Sequence, residues 1–270
     1  MRKLSLFLAI ILLCNHSYAA VSATNGTVDR SKNTAVPAVA SLPLNQNMKI
    51  KSATAHEENT DLFYVIDAEY PQIDGENLSP AAMRFNKFIN ESITQTELQF
   101  INYVKADIPH MQTLPDSVKH NTLKIDFQLD IINDKNILSV RIMSEGMQAG
   151  RAHPYHTYQT FNYDLTQGKI LTLNDIFKPK VKYLTVLAKY ASVELNKKLQ
   201  DKWMIKEGTA PVLKNYQNWN LKKNSILITF NEYQVAPYYA GSPEVQIPYA
   251  KLKNIIAPSS PIALCLKDAC

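Results

Sequence analysis

The chain has 270 residues, 46% of them hydrophobic and 20% charged, with only seven glycines, which excludes collagen-like and wholly disordered chains and leaves room for one large or two small cores. The formal charge is +5. With lysines spread along the sequence and paired only at Lys197-Lys198 and Lys222-Lys223, no concentrated basic tract argues for nucleic acid.

Arg2 and Lys3 precede a ten-residue apolar run, Leu4 to Leu13, and then Ser17-Tyr18-Ala19. A basic start, a short apolar stretch and small residues at a cleavage position spell a signal peptide over residues 1–19, cut after Ala19. The run is too short to span a bilayer as a helix, and the mature chain has no other apolar stretch long enough, so no transmembrane segment is expected there. Cys14 follows Leu13, where lipoprotein processing wants a small residue. Losing Arg2 and Lys3 leaves 27 basic and 24 acidic residues, a mature charge of +3. It also leaves two cysteines, Cys265 and Cys270, whose even count in an exported chain suggests a disulfide fastening the tail, residues 257–270. Residues 20–47, rich in Ala, Ser, Thr, Asn and Val, read as a flexible tether.

Order is expected from Met48. Met48 to His56 and Leu62 to Tyr70 read as strands, the second stopped by Pro71. Ser79-Pro80 is a helix start. Phe85, Phe88, Ile89, Ile93, Phe100, Ile101 and Val104 keep helical spacing to about Ala106. Thr122 to Ile132 alternates apolar and polar residues, the pattern of a half-buried strand. Asn133 to Asn136 is turn chemistry, and Ile137 to Met143 returns as a hairpin. The second half repeats this grammar. Thr157 to Leu165 and Ile170 to Leu173 read as strands, Asn174 or Asp175 caps a brief turn, and Tyr183 to Leu199 is an amphipathic helix. Trp219 to Leu221 with Ile226 to Phe230 forms a hairpin, followed by a strand at Glu244 to Ile247 and helical turns from Pro248 to Ile256. The expected fold class is α+β, in two lobes (residues 48–150 and 151–256), each an antiparallel sheet with one long helix across it.

Two phrases resemble a known family. Phe161-Asn162-Tyr163-Asp164-Leu165-Thr166-Gln167-Gly168-Lys169 with Leu171 to Phe177, and Phe230 to Tyr238 with Gly241 and Val245-Gln246-Ile247-Pro248-Tyr249, are similar to the domain of unknown function 3298. Tyr70-Pro71-Gln72-Ile73 and the helix behind it resemble its partner, the domain of unknown function 4163. Together the two cover about residues 48–256. The pair forms the exported part of RsiV-like anti-sigma factors, which sense lysozyme by binding it, and occurs beside peptidoglycan deacetylase domains. The resemblance implies a periplasmic or secreted protein of the cell envelope whose partner is a cell-wall glycan or a lysozyme-like protein. Neither a sigma-binding arm nor a deacetylase domain is expected in this chain.

No catalytic motif is visible. There is no Gly-x-Ser-x-Gly elbow and no His-Glu-x-x-His, and no cofactor is called for. Glu69, Glu145 and Glu232 are nominal carboxylates for a glycan hydrolase, the rival reading, since such pairs meet only in three dimensions. His153 and His156 would ligate a metal only if His110, His120 or Asp164 joined them, and Pro154 argues against the helix that would put both on one face, so no metal site is expected. Recognition is the favoured chemistry. Tyr233, Tyr238 and Tyr239 combine apolar area with a polar tip, Pro237 and Gly241 shape their loop, and His153, Tyr155 and His156 sit on a second loop. The alternative is that one or two of these tyrosines pack the sheet edge and hold the loop, and Trp219 fits either role.

Overall fold

The computed structural model describes residues 43–44, 48–132 and 136–267. The signal peptide and most of the tether lie outside the described residues, as do the turn at 133–135 and Cys270.

Seven strands form one sheet in sequence order. They are β1 (Pro43–Leu44), β2 (Met48–Asn59), β3 (Tyr64–Asp74), β4 (Asn121–Ile132), β5 (Ile137–Met147), β6 (Tyr155–Asp164) and β7 (Lys169–Ile170). Neighbours are antiparallel except β3 and β4, which run parallel. A parallel pair needs a long crossover, and the 32-residue helix α1 (Pro80–Met111) supplies it. Ser79 caps α1, its side chain accepting from the Ala82 N–H at 3.1 Å. The helix buries Ala82, Phe85, Ile89, Ile93, Phe100 and Val104 against Ile66, Leu123, Ile125, Val140, Ile142 and Tyr163 of the sheet.

Two boundaries differ from expectation for identifiable reasons. β3 runs through Pro71, which pairs with Ser52 of β2. The Ile73 N–H and C=O bond the Asn86 side chain on α1, both at 2.7 Å, so they point away from β2. Pro71, two residues earlier, points the same way, toward an edge that β4 does not cover, and its missing N–H costs nothing there. Likewise α1 passes the expected stop near Ala106 and takes Pro109 into its last turns.

The second half contributes α2 (Leu173–Ile176), α3 (Tyr183–Asn196), α4 (Lys202–Gly208), β8 (Trp219–Leu221), β9 (Ser225–Thr229), β10 (Glu244–Pro248) and α5 (Tyr249–Leu252). β10, β9 and β8 form a three-stranded antiparallel sheet, with α3 against β10. Leu187, Ala191 and Leu195 of α3 join Ile226, Ile228, Val245 and Ile247 in a second core. The expected α+β class, with two sheets and a helix on each, is what the chain adopts, but the first sheet is mixed rather than antiparallel because α1 crosses over to make β3 and β4 parallel. Three assignments change: β6 and β7, expected in the second lobe, hydrogen-bond into the first sheet; of the strand expected at Ile170 to Leu173 only Ile170 pairs, while Leu173 opens α2; and Pro43–Leu44, expected in the tether, pair with β2.

β6 therefore has two buried faces. On one, Tyr163 donates to the Ala81 carbonyl at 2.9 Å, Phe161 meets Phe88 edge-on at 4.7 Å, and Gln159 bonds Thr96 at 3.0 Å, climbing α1. On the other, the Thr160 hydroxyl accepts from the Trp219 N–H at 3.0 Å. Asn162 donates to the Trp219 carbonyl at 3.0 Å and accepts from the Leu221 N–H at 2.8 Å. β8 is an edge strand, and these side chains satisfy the backbone groups that an edge leaves open. Arg141 of β5 extends the seam to Thr229 and Glu244 and lies 5.6 Å from the Tyr158 ring centroid. Lys222 meets Asp130 at 2.5 Å.

Candidate functional site

At the open end of this seam, β6 begins beside the loop that joins β9 to β10. The loop is fixed at several points. The Gln234 side chain accepts from the Asn231 N–H at 3.0 Å and donates to the carbonyls of Gly208 and Asn215 at 3.0 and 3.1 Å. Val235 and Ala236 are buried. Pro237 precedes a single 3-10 turn, Tyr238–Ala240, and Gly241 closes it at φ +63° and ψ −139°, a conformation open to glycine.

The three tyrosines divide the work. Tyr238 is half-buried, stacks on the His153 ring at 3.9 Å and donates to the Pro154 carbonyl at 2.9 Å, so it latches one loop to the other. Tyr239 is 83% exposed and Tyr233 57% exposed. Tyr233 also holds φ +61°, a left-handed conformation that costs an ordinary residue about 1–2 kcal/mol. The ring is exposed and meets the Tyr238 ring only at a centroid distance of 6.0 Å, and backbone strain of this kind concentrates at functional positions. Tyr233→Asn is expected to raise stability by up to about 1 kcal/mol, since Asn tolerates this conformation. Thermal or denaturant unfolding checks it, and a destabilised variant would show that the ring holds the loop.

Under the tyrosines, His156 is held between two carboxylates. Its Nδ1 lies 2.6 Å from Glu232 and its Nε2 3.0 Å from Glu145, while its backbone N–H donates to Glu232 at 3.3 Å. Two acceptors on opposite ring nitrogens call for the imidazolium, which donates from both. Burial pushes the His156 pKa down, but the hydrogen bonds and charges of Glu232 and Glu145 outweigh it, and the net shift is upward from 6.5. A raised pKa gives stability that is full below the unfolded value and lost as pH rises through the folded one. Wild-type unfolding free energy should therefore fall as pH climbs from 6.5 through the raised value. In His156→Gln that part of the decline should vanish; an unchanged profile would place the imidazolium elsewhere. The three side chains come from β5, β6 and the β9–β10 loop, so the protonated ring also ties the two sheets together.

The other expected residues are placed as follows. Tyr155 points to the opposite face of β6 from His156, its ring lying over Gly146, so it is not brought to the tyrosine cluster. Trp219 is buried in β8 and presents no recognition surface, because its strand is sandwiched against β6. His110 pairs with Asp107, and Asp164 accepts from the N–H groups of Thr166 and Gln167 in a turn. Among the described residues no group of three His, Cys, Asp or Glu side chains is arranged to hold a metal ion. Glu69 accepts from Ser52 at 2.5 Å on the β2–β3 ladder and belongs to no cluster with Glu145 and Glu232. Cys265 is buried and disulfide-bonded, while the proposed partner Cys270 lies outside the described residues. Gln234, Gly208 and the Pro154 carbonyl support the site although no sequence motif marks them. Their signal was weak, because each acts through backbone contacts.

A polar seam joins the two sheets of this α+β chain, and a pinned aromatic loop lies at its open end. Residues 174–250 match the family described as protein of unknown function (DUF3298). Over 210 residues the chain is 28% identical to the peptidoglycan-N-acetylmuramic acid deacetylase PdaC of Bacillus subtilis, covering 77% of this chain and 42% of that protein. Over 199 residues it is 22% identical to the anti-sigma-V factor RsiV of the same organism, covering 71% and 65%. The chain thus spans less than two thirds of either relative. A solved DUF3298 family member from Bacteroides fragilis superposes with a TM-score of 0.58 at 19% identity, covering 82% of this chain and 98% of that one, and so shares the fold. No described helix is long and apolar enough to cross a membrane.

Proposed function

We propose that the chain is an exported binding protein of the cell envelope that recognises a cell-wall-related target, a lysozyme-like protein or peptidoglycan itself, through the Tyr233–Gly241 loop and the neighbouring Arg151–His156 loop. In this reading residues 1–19 are its signal peptide, residues 48–150 act as the domain of unknown function 4163, and residues 151–256, around the matched span 174–250, act as its DUF3298 partner. The observation that carries the reading is the exposure of Tyr233 and Tyr239 on a loop whose backbone is already pinned. A pre-ordered loop loses little entropy on binding, and tyrosine supplies large area with few torsions to freeze. Similarity to an anti-sigma factor and a peptidoglycan deacetylase supports a target in the wall.

The carboxylate–histidine cluster favours a second reading, a hydrolase of wall glycan. Against it, both ring nitrogens of His156 are already hydrogen-bonded to carboxylates, so the ring has no free lone pair with which to act as a base. One experiment separates the readings. The purified protein is passed over immobilised hen lysozyme and mixed with insoluble peptidoglycan, and soluble reducing sugar is followed in parallel. Retention on one matrix with no sugar released supports recognition and selects the target. Release of sugar that stops in Glu232→Gln establishes the hydrolase, and no retention on either matrix contradicts the proposal.

A further inference from the structure

The chain's charge is not spread evenly over the folded surface. Between Lys182 and Lys214 lie seven lysines against Glu194, Asp201 and Glu207, a net +4 in a chain whose total is +5. This stretch is the helical layer of the second half, α3, α4 and the turn Leu213–Tyr216. All seven lysines are exposed. The acidic residues are partly used up locally: Lys197 pairs with Glu194 at 2.6 Å, and Asp201 caps α4 by accepting from the Met204 N–H at 2.9 Å. Among the described residues Lys182, Lys189, Lys198, Lys202, Lys206 and Lys214 make no ion pair.

The same layer carries a group of exposed apolar side chains. Trp203 is 71% exposed, Leu213 59% and Val193 52%, with Val212 and Val186 also exposed. Their placement follows helical geometry. In α3, Leu187, Ala188, Ala191 and Leu195 face the core, which turns Val186, Lys189 and Val193 to the opposite side. In α4, Ile205 and Gly208 are buried, which turns Trp203 and Lys206 outward. α3 and α4 pack against each other. Their outer faces are both turned to solvent, with Val186 and Val193 exposed on α3, Trp203 exposed on α4 and exposed lysines on each. The Val212–Leu213 tip is held firmly: Asn215 donates to the carbonyls of Glu207 and Ala210 at 3.0 and 3.1 Å, and the buried Tyr216 donates to the Thr209 carbonyl at 2.7 Å.

We infer that this face rests on an anionic phospholipid surface. An exposed tryptophan with aliphatic neighbours suits the boundary between headgroups and acyl chains, where the indole ring is half apolar and half hydrogen-bonding. Unpaired lysines around it supply the attraction to anionic headgroups. Charge complementarity excludes a basic protein at this face. Valine and leucine argue against a glycan, which stacks on aromatic rings and gains little from aliphatic tips. The face is separate in kind from the tyrosine loop, so binding of wall and of membrane are independent properties.

The chain's two tryptophans make the test direct, because Trp219 is buried and Trp203 is exposed. The protein is mixed with vesicles of phosphatidylcholine and phosphatidylglycerol in a two-to-one ratio, and with vesicles of phosphatidylcholine alone, at low and high salt. Co-sedimentation with the mixed vesicles only, weakened by salt, is expected, with a blue shift in emission that disappears in Trp203→Phe. Each lysine near such a surface is worth about 1 kcal/mol, so Lys202→Gln/Lys206→Gln should weaken partitioning about 30-fold. Trp203→Ala should weaken it about tenfold. Both variants alter exposed side chains and should melt like the wild type. Equal sedimentation with both vesicle types, an unshifted Trp203 emission, or retention on a soluble acidic polysaccharide without vesicle binding would each overturn the inference.

Discussion

Gly208→Ala is expected to destabilise the protein by about 3 kcal/mol or more, roughly 6–12 °C in melting temperature for a chain of this size. A β-carbon at Gly208 would lie 2.0 Å from the Gln234 carbonyl oxygen and 2.7 Å from Val235 Cγ1. The nearest obstacle is backbone, which cannot rotate away as a flexible side chain would. Relief requires moving residue 234, and residue 234 is the anchor of the tyrosine loop. Binding to the wall target should therefore fall in Gly208→Ala although every tyrosine remains. A variant that melts and binds like the wild type would mean that the loop does not depend on this contact.

Asn162→Ala should have an effect of similar size for a different reason. Asn162 is 1% exposed, and its amide serves both the Trp219 carbonyl and the Leu221 N–H. Truncation leaves two buried backbone groups of an edge strand without partners and without water, at about 1–3 kcal/mol each. The expected loss is about 4 kcal/mol in denaturant unfolding. Asn162→Asp keeps the acceptor for Leu221 but sets a carboxylate oxygen against the Trp219 carbonyl, so it should not rescue. A loss below about 1 kcal/mol would show that β8 is held by its apolar contacts rather than by this seam.

Much of the architecture could be read before folding. The alternation from Leu123 to Ile131, the helical spacing from Phe85 to Val104 and the Trp219–Phe230 hairpin are local patterns, set by which face of one element is buried. What stayed hidden depends on contacts distant in sequence. Ile132 and Ile137 belong to one core while Leu123 and Leu138 belong to the other. β4 and β5 thus pass between two cores, and nothing local distinguishes that from a half-buried strand. Pro71 read as a stop because the direction of its missing N–H is set by Asn86, fifteen residues away. α4 leaves no trace in the local apolar pattern because only Ile205 and Gly208 in its seven residues are buried, too few to show a period. Asp201, a capping residue, was its one local signal.

The site shows the same division. Tyrosines, proline and glycine in one loop announced a surface feature, and Tyr239 and Tyr233 are exposed there. Which ring would hold the loop was not legible, since Tyr238 finds its partners His153 and Pro154 some eighty residues earlier. Glu145, His156 and Glu232 share no local motif. The first two stand directly opposite on β5 and β6, a pairing that follows once the β5–β6 ladder is drawn in register. Glu232 arrives through tertiary packing alone.

The central claim is that Tyr233 and Tyr239 contact the target while the rest of the loop holds them in place. Affinity for whichever matrix retains the wild type should therefore be compared with that of Tyr233→Ala/Tyr239→Ala, alongside both melting temperatures. Truncating two central aromatic contacts costs about 2 kcal/mol or more each, so binding should fall about 1,000-fold or more while the melting temperature stays close to level. Wild-type affinity in the double variant would contradict the account.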